Sequence, residues 1–328
     1  MLFETAGIEV TPWVPPLVAF VISFFTSMGG VSGAFLLLPF QMSFLGYTSP
    51  SVSATNQLFN IVAIPSGVYR YWKEGRMVWP LTWIVIAGTL PGVLIGAFVR
   101  VAYLPDPTRF KLFAAAVLMY IGGKMARDLL KKKTGTKGNG SEERFQEMVR
   151  RHRFAKTGSK ADDQVPFRPV KVTHFNLKRL GYRFYDDAFD VSFWGIFTLS
   201  FVVGIIGGIY GIGGGAIIAP FFVTFFRLPV YTVAGAALMG TFVTSVAGVA
   251  FYQAIAPLYP HLSVRPDWLL GLLFGLGGMA GMYLGARFQK FVPARTIKWM
   301  LAGIILFTAL KYLAAFFGLL GYPVGSST

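Results

Sequence analysis

Long apolar stretches separated by short polar ones organise this sequence from one end to the other. A helix that crosses a bilayer needs roughly 20 mostly apolar residues. Eight stretches reach that length: 14–45, 51–70, 79–103, 109–129, 191–228, 230–256, 267–287 and 295–320. Gly and Pro are frequent inside them, which membrane helices tolerate where neighbours or water satisfy the freed backbone groups. A membrane β-barrel would show two-residue alternation instead, and runs such as Leu81 to Gly96 sustain none. The pattern predicts an all-α integral membrane protein, a polytopic helical bundle.

The pattern stops between residues 130 and 190. This stretch carries half of the chain's 30 Lys and Arg residues. Lys131, Lys132 and Lys133 follow one apolar segment, and Lys178, Arg179 and Arg183 precede the next. Cations close to membrane ends set orientation, so 130–190 is expected in the cytoplasm. Within it, Ser141 to Ala155 reads as a short amphipathic helix with Glu142 and Glu143 in its first turn. The loop as a whole would suit docking or anionic lipid; the plainer alternative is a solvated linker that sets topology. Three units result: a first transmembrane repeat at 1–129, a basic cytoplasmic loop at 130–190, and a second transmembrane repeat at 191–328.

Composition narrows the classes further. The chain is 54% apolar and only 13% charged, against about 25% charged in soluble domains. Its net charge of +16 would suggest nucleic acid in a soluble protein. In a membrane protein it marks cytoplasmic loops, and no nucleic acid partner is expected. Cysteine is absent, which excludes disulfides, thiolate metal sites and cysteine nucleophiles. Residues 1–69 hold no Lys or Arg, so no basic start of a signal peptide is visible.

The two halves resemble each other. A shift of 181 aligns Phe20–Phe40 with Phe201–Phe221, bringing Pro39 onto Pro220, and GGVSGAFLLLPF (29–40) faces YGIGGGAIIAPF (210–221). With no gap, 52–68 then faces 233–249; after a further shift of eight, PGVLIGA (91–97) faces AGMYLGA (280–286). Pro105 and Pro293 follow, each expected to open the last helix of its half. Cations at Arg287, Lys290, Arg295 and Lys298 place the loop at 286–298 in the cytoplasm as well. The halves then have opposite orientation, an inverted repeat of the kind many secondary transporters use. For the count of crossings to fit, 14–45 and 191–228 must each return to the side they left. Each carries a glycine cluster in its middle, Gly29-Gly30-x-x-Gly33 and Gly211-x-Gly213-Gly214-Gly215. Two half-helices meeting at a glycine break satisfy length and parity; a long tilted helix is the alternative.

Ionisable groups inside a membrane are functional candidates by default, but all 14 acidic residues and His152, His174 and His261 fall in loops or at segment ends. A buried metal site, a carboxylate relay and a histidine-based hydrolase are therefore poorly supported. No enzyme and no cofactor is expected. Neutral polar groups remain. Asn56 and Asn60 share a helix face with Gln57 beside them, and the second half offers Thr241, Thr244 and Ser245 at the matching place. Ser32-Gly33-Ala34 and Gly215-Ala216-Ile217 begin the half-helices after the breaks. Free N–H groups at a helix start favour an anion, and glycine lets it approach the backbone. Each reading has a structural counterpart. Glycines four apart also serve close helix packing, and Ser and Thr bond back to their own helix. Tyr210 suits packing better than gating, and Arg70, Arg100, Arg227 and Arg287, near segment ends, are expected to snorkel to the interface.

GIGGGAIIAPF (211–221), then 233–249 and LGARF (284–288), resembles the TauE/SafE family of sulfite and organosulfur anion exporters. The first half is similar to the same pattern through GGVSGAFLLLPF, SATN (53–56) and YRYWKEGRMVW (69–79). The resemblance covers nearly all of the chain except 130–190. It implies a bacterial inner-membrane transporter that exports sulfite, sulfonates or related anions with proton coupling. Carried over residue by residue, it points at Ser32, Gly33, Gly213, Gly214, Gly215, Asn56 and Thr241; Gln57, Asn60 and Ser245 join them from the reading of the polar residues. The expected partners are a small anion, protons and membrane lipid, with a homodimer left open. A passive anion channel and a membrane scaffold acting through 130–190 are the alternative functions.

Overall fold

A computed structural model describes residues 1–28, 31–130, 170–184, 187–288, 292 and 294–317. The glycine pair 29–30, the helix expected at 141–155 and Pro293 lie outside them. The described chain is mainly helical. A two-stranded hairpin, β1 (Leu2–Phe3) and β2 (Ile8–Glu9), precedes α1 (Val14–Met28), α2 (Ala34–Ser43), α3 (Ser51–Lys73), α4 (Trp79–Ala102) and α5 (Pro107–Leu130). A three-stranded sheet, β3 (Lys171–Phe175), β4 (Arg179–Phe184) and β5 (Asp187–Ser192), leads to α6 (Phe193–Tyr210), α7 (Ile218–Phe225), α8 (Val230–Ile255), α9 (Trp268–Phe288) and α10 (Ala294–Phe316). By length and composition, α4, α6, α8 with its 3-10 extension to Leu258, and α9 are long and apolar enough to cross a membrane. Their outer faces are apolar too: Leu269, Leu272, Leu276 and Met279 form an exposed stripe on α9. Water would penalise such a surface, and lipid does not.

Glycine explains the tightest helix pairs. Gly88, Gly92 and Gly96 of α4 lie against the carbonyls of Phe197, Phe201 and Ile205 on α6. Gly277, Gly281 and Gly285 of α9 lie against the carbonyls of Pro16, Phe20 and Phe24 on α1, the positions 181 residues earlier. A Cβ at any of the six would collide with that backbone, so glycines four apart set the interhelical distance. α3 and α8, the corresponding helices of the two halves, pack against each other. Gln57 meets Gly248 and Gly67 meets Leu238, so α3 and α8 run antiparallel.

Both glycine breaks turn the chain back. Before α1, the Ala6 N–H donates to Asp267 Oδ2 at 3.2 Å; after α2, Tyr47 Oη lies 2.8 Å from Thr55 Oγ1, which accepts from the Asp267 N–H at 2.8 Å. The hairpin of α1 and α2 thus begins and ends at one end of the bundle. Before α6, Tyr182 Oη lies 2.9 Å from Thr232 Oγ1 at the start of α8, so the hairpin of α6 and α7 begins and ends at the other. The stretches 14–45 and 191–228 are therefore broken pairs, not long tilted helices.

The sheet in 171–192 departs from the expected linker. Leu180, Tyr182 and Phe184 alternate along β4, and Phe189 and Val191 along β5, all buried. That period of two was visible in the sequence but short, and the surrounding charge masked it. The outer face is polar: Arg179 donates to Asp190 across 2.9 Å, which holds that carboxyl below its ordinary range. Two acidic residues near segment ends are also buried. Glu74 pairs with Arg70 at 2.7 Å and with Arg76, and Asp267 caps α9 by accepting from the Leu270 N–H at 3.0 Å.

Candidate functional site

At the second break the carbonyls of Gly211 and Ile212 lie beyond the end of α6 and have no helical partner. In a membrane each such group costs several kcal/mol unless satisfied inside the protein. The amides of α3 satisfy them. Asn56 Nδ2 donates to Ala34 O at 3.0 Å, on the first hairpin, and to Gly211 O at 3.1 Å, on the second. Its Oδ1 accepts from Gln41 Nε2 at 3.3 Å. One turn on, Asn60 Nδ2 donates to Ile212 O at 2.9 Å and to Ser245 Oγ of α8 at 3.1 Å, while its Oδ1 accepts from Ser32 Oγ. All of these side chains are fully buried. The i, i+4 spacing read from the sequence thus clasps both breaks to one helix face.

The glycines shape the other side. Gly211 and Gly213 adopt φ of +78° and +81°, a left-handed conformation that side chains disfavour. Gly213 fits beneath Ser245 and Thr241, and Gly215 lies on the Ala237 carbonyl and Thr241. The Gly214 N–H donates to Thr244 Oγ1 at 3.0 Å. Thr241 Oγ1 donates to the Ala237 carbonyl at 2.8 Å, the bond back to its own helix expected of an intramembrane threonine.

Ser32, Asn56, Asn60, Gly213, Gly214, Gly215, Thr241 and Ser245 therefore converge where the breaks meet α3 and α8. Gly33 faces away, against Ser23 of α1 and Phe59. Gln57 sits on α3 against Gly248, and its Nε2 and Oε1 are both buried without a hydrogen-bond partner. The Asn donors are committed to backbone and Ser245; those of Gln57 are not.

Sequence reasoning missed Gln41, an amide inside the apolar run of α2. It also placed Arg100 at the interface. Arg100 is instead completely buried, because α5 closes over the end of α4 and sets the Phe110 ring 3.9 Å from the guanidinium. Tyr210 does pack, between Phe35 and Phe110. Among the described residues, no three His, Asp or Glu side chains group as a metal site.

Apolar helices, a lipid-suited outer face and two broken pairs tied to one central helix define a polytopic membrane protein built around paired helix breaks. The family model "Sulfite exporter TauE/SafE" matches residues 16–312, and the chain belongs to that family as a multi-pass membrane protein. It is 28% identical over 123 residues to the "Probable membrane transporter protein YdhB" of Bacillus subtilis, covering 37% of this chain and 46% of that one. It is 27% identical over 135 residues to the "Probable membrane transporter protein YunE" of the same organism, covering 40% and 45%. The match thus spans less than half the length of either curated relative. No solved structure matches the chain.

Proposed function

We propose that this protein is a secondary transporter, not an enzyme, which exports small anions across the bacterial inner membrane, with sulfite, sulfonates and related organosulfur anions as the substrate class. One observation carries the reading: two helix breaks approach from opposite ends and are held by the same pair of amides, Asn56 and Asn60. A site shared by two oppositely inserted hairpins is open to alternating access when one half rocks against the other. The antiparallel course of α3 and α8 and the correspondence of glycine contacts, whose carbonyl residues are 181 apart and whose glycines are 189 apart, support an inverted repeat of 1–129 and 191–328. The polar groups at the breaks are amides, hydroxyls and backbone N–H groups, which suit an anion better than a cation. The family description names sulfite export. Proton coupling then needs no buried carboxylate, because sulfite titrates near neutrality and carries the proton itself. The 130–190 loop, and with it the Tyr182–Thr232 end of the bundle, faces the cytoplasm in this reading.

Sulfite flux in proteoliposomes across an imposed pH gradient tests the proposal. Flux that follows the gradient, and is lost in Gln57→Leu while the variant remains folded, supports the transporter and places substrate beside α3. Flux independent of pH refutes proton coupling, and conductance far above carrier turnover turns the reading to a channel. Sulfite silence in a folded wild type removes sulfite from the substrate class.

A further inference from the structure

Arg100 is the buried charge that the break site does not use. It is 0% exposed, and among the described residues no carboxylate forms an ion pair with it. The Phe110 ring face and one hydrogen bond from Nη1 to the Leu104 carbonyl offset part of its burial. Nε and Nη2 have no partner. Those two nitrogens form one edge of the guanidinium, with hydrogens pointing the same way. That edge matches two oxygens of a carboxylate, sulfite or sulfonate. A buried arginine held without a counter-ion is costly, and such groups inside membrane proteins mark ligand pathways.

Its surroundings are of the same kind. Tyr252 of α8 lies within electrostatic reach of Arg100 and beside Ser53 of α3. Both hydroxyls are fully buried, and neither makes a hydrogen bond of good geometry. Ser53 packs directly on Gly211, at the second break. One turn along α3 the unpartnered Gln57 faces Gly248, one turn along α8 from Tyr252. Towards the end of the bundle, Tyr252 belongs to an apolar cluster with Ala97, Val101 and Val264. Val264 is also part of the wall of a cleft of about 320 Å³ that includes Tyr259, Ser263 and Arg265. The unsatisfied polar groups thus continue from the breaks to Arg100, and an apolar layer separates them from the cleft.

We propose that Arg100, Tyr252 and Ser53 form a binding site for a small oxyanion, placed between the helix breaks and the cleft at 256–265. The site rests on the anion-transport reading and adds to it a charged station, which the neutral break site lacks. The bound anion supplies the counter-ion that Arg100 is without, and parting of the apolar layer opens the site to the cleft.

The test compares purified full-length wild type with Arg100→Met, Arg100→Lys and Tyr252→Phe. Two readouts are used: the melting shift given by sulfite, isethionate or acetate against chloride at equal ionic strength, and the KM of sulfite flux. Wild type should be stabilised by at least one oxyanion and not by chloride. Arg100→Met should melt no lower than wild type without ligand, lose the shift, and raise KM on the order of tenfold to a hundredfold. Arg100→Lys should restore part of the shift, and Tyr252→Phe should raise KM several-fold. No oxyanion shift in the wild type overturns the site. So does Arg100→Met with an unchanged KM and a lower melting temperature, which would make Arg100 a helix-end cap alone. If Arg100→Met does not fold, an unchanged KM in both Arg100→Lys and Tyr252→Phe overturns it. Were the wild type to move no sulfite yet show an oxyanion shift that Arg100→Met abolishes, the export reading would fall and the site would stand.

Discussion

Replacing Asn56 with alanine removes three hydrogen bonds at once, those to Ala34 O, Gly211 O and from Gln41 Nε2. Neither carbonyl can turn to water, because the flanking side chains of α2, α3 and α8 are buried. Gln41 already has an unpartnered Oε1, so its amide lacks a second arrangement to fall back on. Each orphaned buried group costs about 1–3 kcal/mol. The Ala34 carbonyl keeps its bond within α2, so two groups are orphaned and the variant should be less stable by about 2–6 kcal/mol. Gln57→Leu is the matched control one residue away. Gln57 is equally buried but neither amide atom is bonded, so an apolar side chain of similar size removes a standing penalty. Its stability should be unchanged or higher by about 1–2 kcal/mol. Denaturant titration in mixed micelles, followed by the fluorescence of the chain's 7 tryptophans, reads both without a label. Asn56→Ala within about 0.5 kcal/mol of wild type would refute the clasp, since ordinary surface substitutions cost that little. A loss in Gln57→Leu equal to that in Asn56→Ala would refute it too, because stability would then follow polarity and not bonding.

Gly92→Ala and Gly281→Ala should each destabilise by about 1–3 kcal/mol, since the new methyl meets backbone at Phe201 and Phe20 and not a side chain that can move. Gly123→Ala and Gly303→Ala, with nothing within 4 Å, should be neutral or gain up to about 1 kcal/mol from helix propensity; thermal melts of the four variants decide, and equal losses in both pairs would refute the packing account. A chain lacking residues 131–169 should keep its anion flux in proteoliposomes. Abolished flux with the helical bundle intact would favour the scaffold reading of the basic loop.

Much of this protein is legible one residue at a time. Apolar runs of bilayer length located the helices, because a span must satisfy its own backbone whatever lies beside it. Self-similarity at a shift of 181 matched the sequence of α3 to that of α8, and a further shift of eight matched α4 to α9. The glycine clusters marked both breaks, since a residue without Cβ adopts the left-handed conformation of Gly211 and Gly213 without the cost a side chain would add. Asn56 and Asn60 stood out because amides are rare and costly in an apolar helix. What those amides hold was beyond the sequence: their partners, Ala34, Gly211 and Ile212, offer only backbone carbonyls, which every residue has. Arg100 shows the same limit from the other side. Its position near a segment end pointed to the interface, and α5 folding over it decided otherwise. Local composition determines which segments are buried in lipid and where they break. Burial of a single charge, and the bonds made by a single amide, depend on which distant segment packs against it, and that contact exists only in the assembled bundle.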